Sequence, residues 1–408
     1  MTEITSNLPP DTQSPGTISD VTIAPKEYAA LTGEELRSTL DISTWETGVK
    51  ALQAYERLER EIERAAVLST DLRKAIRDQV FQLLAPGPGA PTQAGVYQAT
   101  LDEVKEAQRN VLFNGLVDAC DGNSHVFHTL PIQIIQIAVA VISYMGEEST
   151  WANRIFRRDI PLKAGQSILD QTIEILSRRS GGKEDGGGSR KVSDMMRRGL
   201  MTYMERVVLA EKAKAPWRMG HGNPLAYEIL TGSGITELVR YGVDVLNDLV
   251  LTHKKFIFVP SETSKEHFLT IGDALRPLEY AVISDCSDDL EKILKGGYRG
   301  EWEKVKDKYL EPFCMEAGPK VVMGVYRASS IAPAKMFYAH RDYVHEAALI
   351  ALADSIMQEH RGCPMLIDMA DGICKTYFGA ESLNRPVQFA LAQSGEAYRY
   401  LDERVTRN

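Results

Sequence analysis

The stretch from Val111 to Tyr144 limits the possible folds of this chain more than any other. It holds three apolar runs, Val111–Ala119, His125–Leu130 and Ile132–Tyr144. The last is a continuous Ile/Val/Ala run typical of a strand buried on both faces. Between the first two lies Gly115-Leu-Val-Asp-Ala-Cys-Asp121-Gly122-Asn. Acidic side chains are thus predicted at the end of a buried strand, where the backbone turns. Asp-Gly between apolar runs is a strong hairpin signal. A carboxylate in that place is costly unless compensated, and a divalent metal is a common compensation. The two readings are compatible, because a strand mouth suits a turn and a ligand alike.

The remaining segments supply covering layers. Leu52, Tyr55, Leu58, Ile62 and Leu68 recur at helical spacing among Glu and Arg between Thr44 and Leu84. This pattern predicts a long amphipathic arm for packing or dimerisation, ended by the Pro-Gly-Pro-Gly at 86–89. Residues 1–30, rich in Pro, Thr, Ser and Asp, predict a disordered tail. The expected organisation is that tail, a helical arm over 31–100, and one large domain over 101–408 with a helical insertion around 160–215. In the insertion, helices are expected at about 163–178 and 191–215. Gly181–Ser189 between them reads as a linker, since the order Gly-x4-Gly-Lys-Ser/Thr is missing. Downstream, strands at Phe256–Pro260, Tyr280–Ser284, Val321–Tyr326 and Lys335–Tyr338 alternate with helices near 235–252, 264–275 and 286–295. Helices at about 343–360, 364–377 and 381–402 close the chain. The pattern is α/β: a mixed sheet flanked by helices.

Composition narrows the partners. The chain has 408 residues, 44% apolar and 25% charged, enough for a substantial core. Its net charge of −9 argues against a simple nucleic-acid coat. It leaves room for a local basic channel, for which Arg154–Arg158 and Arg190–Arg198 are candidates. Five scattered cysteines without a Cys-x-x-Cys pair point to a reducing compartment and away from structural zinc. Cys120, His125 and His128 lack a fourth ligand at usual spacing. There is no apolar run of roughly 18 residues and no charged-then-apolar N-terminal signal. The expectation is a cytoplasmic protein with no membrane span.

Asp118 and Asp121 are the first candidates for chemistry. Glu205 has apolar helical neighbours in Met201, Val208 and Leu209, so it is expected to be desolvated and to need a cation or a donor. That partner is either a metal or a buried arginine from another segment. His221 lies in Met219-Gly-His-Gly-Asn-Pro-Leu225, a flexible loop that either approaches a ligand or leaves the ring exposed. Asp371 and Asp368 follow Gly362-Cys-Pro364 in a helix. They are ligands, or a solvated face on which Lys375 pairs with Asp371. No Gly-x-Ser-x-Gly, His-Glu-x-x-His or dinucleotide fingerprint occurs.

These segments together resemble the NurA family of nucleases, partners of the HerA hexameric translocase, over about residues 45–400. The family's Asp-Gly-Ser-like motif at its first core strand corresponds to Asp121-Gly122-Asn123. Its helical glutamate corresponds to Glu205 in Arg197-Arg-Gly-Leu-Met-Thr-Tyr-Met-Glu205-Arg, and its Asp-Gly-Pro-Leu to Gly220-His221-Gly222-Asn-Pro224-Leu225. The C-terminal signature Gly-Tyr-Pro-x-x-Leu-x-x-Ala-His is matched in spacing by Gly362-Cys-Pro364-Met-Leu-Ile-Asp-Met-Ala370-Asp371. Two positions depart: His221 stands where the family has its second catalytic Asp, and Asp371 where it has its catalytic His. Imidazole and carboxylate both bind Mn²⁺, so exchange is compatible with a working site. The resemblance implies an RNase H-like core, a homodimer enclosing a DNA channel, and Mn²⁺- or Mg²⁺-dependent cleavage of DNA ends alongside a HerA-like ATPase, in repair or anti-phage defence. It implies Asp121, Glu205, His221 and Asp371 as catalytic residues, with Asp121, Glu205 and Asp371 holding two metals. The alternative is a catalytically silent scaffold of the same ATPase complex.

Overall fold

The computed structural model describes residues 25–45, 48, 51–87, 89–128, 133–146, 148–157, 188–262 and 265–395. Residues 1–24, the helix expected at 163–178 and most of the expected linker lie outside this set. The chain divides into two compact units, Met1–Ile76 and Arg77–Asn408. Residues 77–100, which the sequence reading joined to the arm, belong to the second.

In the first unit, Pro25–Thr32 is helical, where a disordered tail was expected, and Leu36–Leu40 forms a second short helix. The amphipathic segment forms the expected long helix, α1 (Ala51–Ala75). Arg57 reaches back to Glu34 at 2.8 Å. Tyr55, Leu58, Ile62 and Leu68 are exposed along it.

The second unit is built on one mixed sheet, nine-stranded among the described residues. The strands are β1 (Gly95–Gln98), β2 (Val117–His128), β3 (Gln133–Ile142), β4 (Glu148–Arg157), β5 (Trp217–His221), β6 (Phe256–Val259), β7 (Glu279–Asp285), β8 (Val321–Arg327) and β9 (Lys335–His340). Their order is β1-β7-β8-β9-β6-β5-β2-β3-β4. β2, β3 and β4 form an antiparallel meander, and β5 and β6 add in parallel to the other edge of β2. The expected α/β class, a mixed sheet flanked by helices, is what the chain adopts.

Two expectations at the sheet are corrected. The first apolar run does not begin a strand at Val111. Thr100 and Glu103 form a reciprocal cap, the Thr100 amide donating to the Glu103 carboxylate at 2.7 Å and the Glu103 amide to the Thr100 hydroxyl at 3.2 Å. That cap starts helix α2 (Leu101–Ala107), and helical turns carry on through Leu112 before β2 begins. Nor does the chain turn at Asp121-Gly122. β2 runs through both residues and pairs with β3 from Ala119 to His128, with Asp121 opposite Ala140. Ten consecutive partners on β3 outweigh the local turn preference of two residues.

Period-two alternation divides the core between the faces. Val117, Ala119, Ile257 and Phe337 pack under α4 (Val344–Ser355) and α5 (Met365–Phe378), the latter through Leu366 and Ala370. Cys120, Val139 and Phe258 face the opposite layer of Val208, Leu209 and Ile229. That layer continues from α3 (Gly188–Val207), which precedes α4 and α5 in the chain. Each fully buried Leu, Ile or Phe contributes about 1.5–3 kcal/mol, so both helical layers are held firmly on the sheet.

Two buried carboxylates lock the elements around the coming site. Asp118 accepts from the Lys214 and Ala215 amides at 2.6 and 2.8 Å, tying β2 to the segment entering β5. Asp354 accepts from the Tyr144 hydroxyl at 2.6 Å and from the Leu366 amide at 2.9 Å, capping the start of α5. Burial pushes its carboxyl up to about 6. Gln136 of β3 caps the other end of α5, donating to the Phe378 carbonyl at 2.6 Å.

Candidate functional site

β5 ends at His221, beside Asp121, and past that point this edge of β2 pairs with no described strand. The gap opens at the carboxyl ends of the parallel strands β5 and β6, the position at which open α/β sheets bind ligands. His221 is therefore not in a loop, as expected, but is the last residue of a strand. The sequence Trp-Arg-Met-Gly-His hides that strand, because it is short and its arginine breaks the apolar run. Arg218 is buried there, bonded to the Ala215 carbonyl.

Asp121 is 7% exposed, and its Oδ1 accepts from the Gly122 amide at 2.8 Å. The same oxygen lies 3.5 Å from His221 Nδ1. On its other side the ring is fixed by Ser261, whose Oγ is 2.6 Å from Nε2. Ser261 stands just beyond the end of β6 and went unnoticed in the sequence; only its place after a buried strand and Pro260 marks it. The hydrogen bond to Asp121 raises the pKa of His221, against the opposing effect of burial.

Glu205 is 4% exposed, near the end of α3. It approaches from the face shared by Cys120 and Gly122, whereas alternation puts Asp121 with Val117 and Ala119. The absence of a side chain at Gly122 lets it in: a Cβ there would stand 2.5 Å from Glu205 Oε1. Burial is the largest cause of a pKa pushed up to about 7; Arg206 opposes it, Asp121 adds to it and His221 opposes it in turn. Glu205, Asp121 and His221 are thus within electrostatic reach of one another.

The cation that the desolvated glutamate needed is Arg206, its sequence neighbour rather than a residue of another segment. Nη1 is 3.1 Å from Glu205 Oε2, and Nη2 donates to the His221 and Asn223 carbonyls at 3.3 and 2.7 Å. The guanidinium also lies 4.4 Å over the Phe258 ring. Burial lowers its pKa, with Glu205 pulling the other way. Arginine in the apolar stripe next to Glu205 was a readable signal of this pair.

Asp371 comes to the rim on α5, but its carboxylate is taken by Lys375 Nζ at 2.6 Å. The solvated i,i+4 pair is what forms. Asp368 likewise pairs with Arg361. The Lys375 ammonium is held charged by its bond to Asp371, and the charge of Asp121 adds to this.

Among the described residues, no three His, Cys, Asp or Glu side chains converge closely enough to hold a metal by themselves. The expected set of Asp121, Glu205 and Asp371 is not a closed cage. Mg²⁺-like cations, however, are usually held by one or two carboxylates together with substrate phosphates and water. Two buried carboxylates, one with its ionised form disfavoured by burial, fit that open arrangement. What the site offers chemically is hard oxygen ligands, a fixed arginine and an oriented imidazole around one gap.

Compared as a sequence, the chain matches no family model and no curated protein. Compared as a fold, it is similar to NurA nuclease structures, the likeness that the motifs suggested. The NurA nuclease from Sulfolobus solfataricus is 10% identical, with 84% of this chain and 98% of that one covered at a TM-score of 0.43. A NurA bound to dAMP and manganese is 9% identical, with coverage of 83% and 97% and a TM-score of 0.41. Endonuclease V from Ciona intestinalis, in complex with a 24mer DNA, is 12% identical, covering 78% and 97% at a TM-score of 0.24.

Proposed function

We propose that this chain is a metal-dependent DNA nuclease that processes DNA ends. The observation that carries the reading is the convergence of Asp121, Glu205 and His221 at the gap where β5 ends beside β2. Phosphodiester hydrolysis requires stabilisation of negative charge on phosphate oxygens and a group to handle the water proton. Asp121 and Glu205 would hold Mn²⁺ or Mg²⁺, which when bound supplies that charge and an activated water. His221, oriented by Asp121 and Ser261, holds a proton beside the gap. Arg206 fixes Glu205 and the end of β5 in one geometry. Asp371 contributes to the rim rather than to the closed ligand set.

DNA is the proposed substrate, with a HerA-like hexameric ATPase as partner in repair or anti-phage defence. Exposed Arg154 on β4 and Arg198 on α3, with half-buried Arg197 beside it, are candidates for backbone contacts. DNA binding is then expected to weaken as salt rises. The exposed stripe of Tyr55, Leu58, Ile62 and Leu68 on α1 suits a second copy of the chain, making a homodimer. The free cysteines are in keeping with a cytoplasmic setting, and no described helix is long and apolar enough to cross a membrane.

A second reading, a catalytically silent scaffold, is favoured by the cations already seated on Glu205 and Asp371. Purified protein incubated with linear DNA and Mn²⁺, alone and with its ATPase, separates the two. Cleavage in either condition supports the nuclease; intact DNA binding without cleavage in both supports the scaffold.

A further inference from the structure

Resting on the metal-dependent reading above, we propose that the site takes a single divalent cation, between Asp121 and Glu205. Arg206 and Lys375 act as built-in cations in place of a second ion. A two-ion clamp needs several carboxylates with free oxygens. Here Glu205 Oε2 is engaged by Arg206 at 3.1 Å and Asp371 Oδ2 by Lys375 at 2.6 Å. His221 is occupied on both ring nitrogens, by Asp121 and by Ser261. Asp121 Oδ1 accepts from the Gly122 amide. Asp121 Oδ2 and Glu205 Oε1 accept no hydrogen bond from the described residues, which leaves two carboxylate oxygens, enough for one ion and too few for a two-ion clamp.

Charge points the same way: Arg206 and Lys375 already offset two of the carboxylates, Glu205 and Asp371. A second ion would add two more positive charges beside a guanidinium that cannot leave. Arg206 is 1% exposed, bonded to Glu205 and two carbonyls, and stacked on Phe258. Arginine also keeps its proton under all ordinary conditions. Lys375 differs: its side chain is 60% exposed and tied to Asp371 alone, so it can be removed without disturbing the core.

The test is a count of bound Mn²⁺ per full-length chain by electron paramagnetic resonance titration, using the metal alone as probe. The wild type is expected to bind one ion, and Asp121→Asn none. Lys375→Gln frees Asp371 and is expected to bind a second, weaker ion, which Lys375→Gln combined with Asp371→Asn loses. Two ions on the wild type, or one ion unchanged in Lys375→Gln, would overturn the proposal. Zero ions on the wild type would instead overturn the metal-dependent reading, and this proposal with it.

Discussion

Replacing Gly122 by alanine tests the geometry at its tightest point. Gly122 has ordinary extended backbone within β2, so alanine causes no backbone strain. The new Cβ meets Glu205 Oε1 at 2.5 Å and Met201 Cγ at 3.0 Å. Ordinary contact begins at 3.4 Å, so the carboxylate oxygen must retreat by about 0.9 Å. Arg206 pins the other carboxylate oxygen, so the group rotates away from the gap rather than sliding along it. A displacement of this size at a reacting centre costs about 100-fold in rate. Stability changes little: overpacking costs about 1 kcal/mol at its lower end, and removing a strand glycine returns about 0.5–1 kcal/mol. The assay is Mn²⁺-dependent cleavage of linear DNA at saturating substrate, with a thermal melt as control. The expected result is a loss near 100-fold with a melting temperature within a few degrees of wild type. In a Glu205→Gln background the same change should cost almost nothing further, since both act on one group. Cleavage by Gly122→Ala within about twofold of wild type would refute Glu205's placement at the reacting centre.

Two further outcomes concern stability. The folded pKa of Glu205, about 7, lies above its ordinary 4.5, so its contribution is full at low pH and is lost as pH rises through about 7. The shift corresponds to at most about 3 kcal/mol. Urea unfolding of the wild type should therefore weaken relative to Glu205→Gln between about pH 5 and pH 7.5, while Asp354 titrates alike in both; parallel profiles would contradict this. Arg77→Ala leaves Glu279 buried without its partner, which sits at 2.6 Å, and should cost about 3 kcal/mol at neutral pH. Burial pushes the Glu279 carboxyl up, but Arg77 and the Arg276 amide outweigh it and hold it below 4.5. The loss should accordingly shrink as pH falls through that lowered value; a pH-independent loss would assign the effect to packing.

The parts of the site that were legible in the sequence are those where burial is decided locally. Glu205 could be placed because Met201, Val208 and Leu209 surround it on its own helix. Asp121 could be singled out by the apolar runs on either side. Asp118, by contrast, is an acceptor for two backbone amides, which secures β5. What could not be read was set by partners far along the chain. Asp121-Gly122 carried a turn signal, yet ten register partners on β3 keep the strand going, and the glycine serves Glu205's approach instead. His221 looked like a loop residue because β5 owes its existence to β2 and β6 rather than to its own five residues. Ser261 could not be linked to His221, since only the parallel pairing of β5 with β6 brings them together. The alternation after Phe256 was readable because its strands carry short apolar runs, such as Phe256–Val259 and Val321–Tyr326, set between helical spacings.

The most direct measurement is the cleavage rate of Asp121→Asn, a change that keeps the shape and the acceptor for the Gly122 amide while removing the charge. With linear DNA and saturating Mn²⁺, the variant is expected to fall by about 1,000-fold or more while its melting temperature stays near that of the wild type. A variant that cuts DNA at the wild-type rate would contradict the assignment of the β2–β5 gap as the place where phosphodiesters are broken.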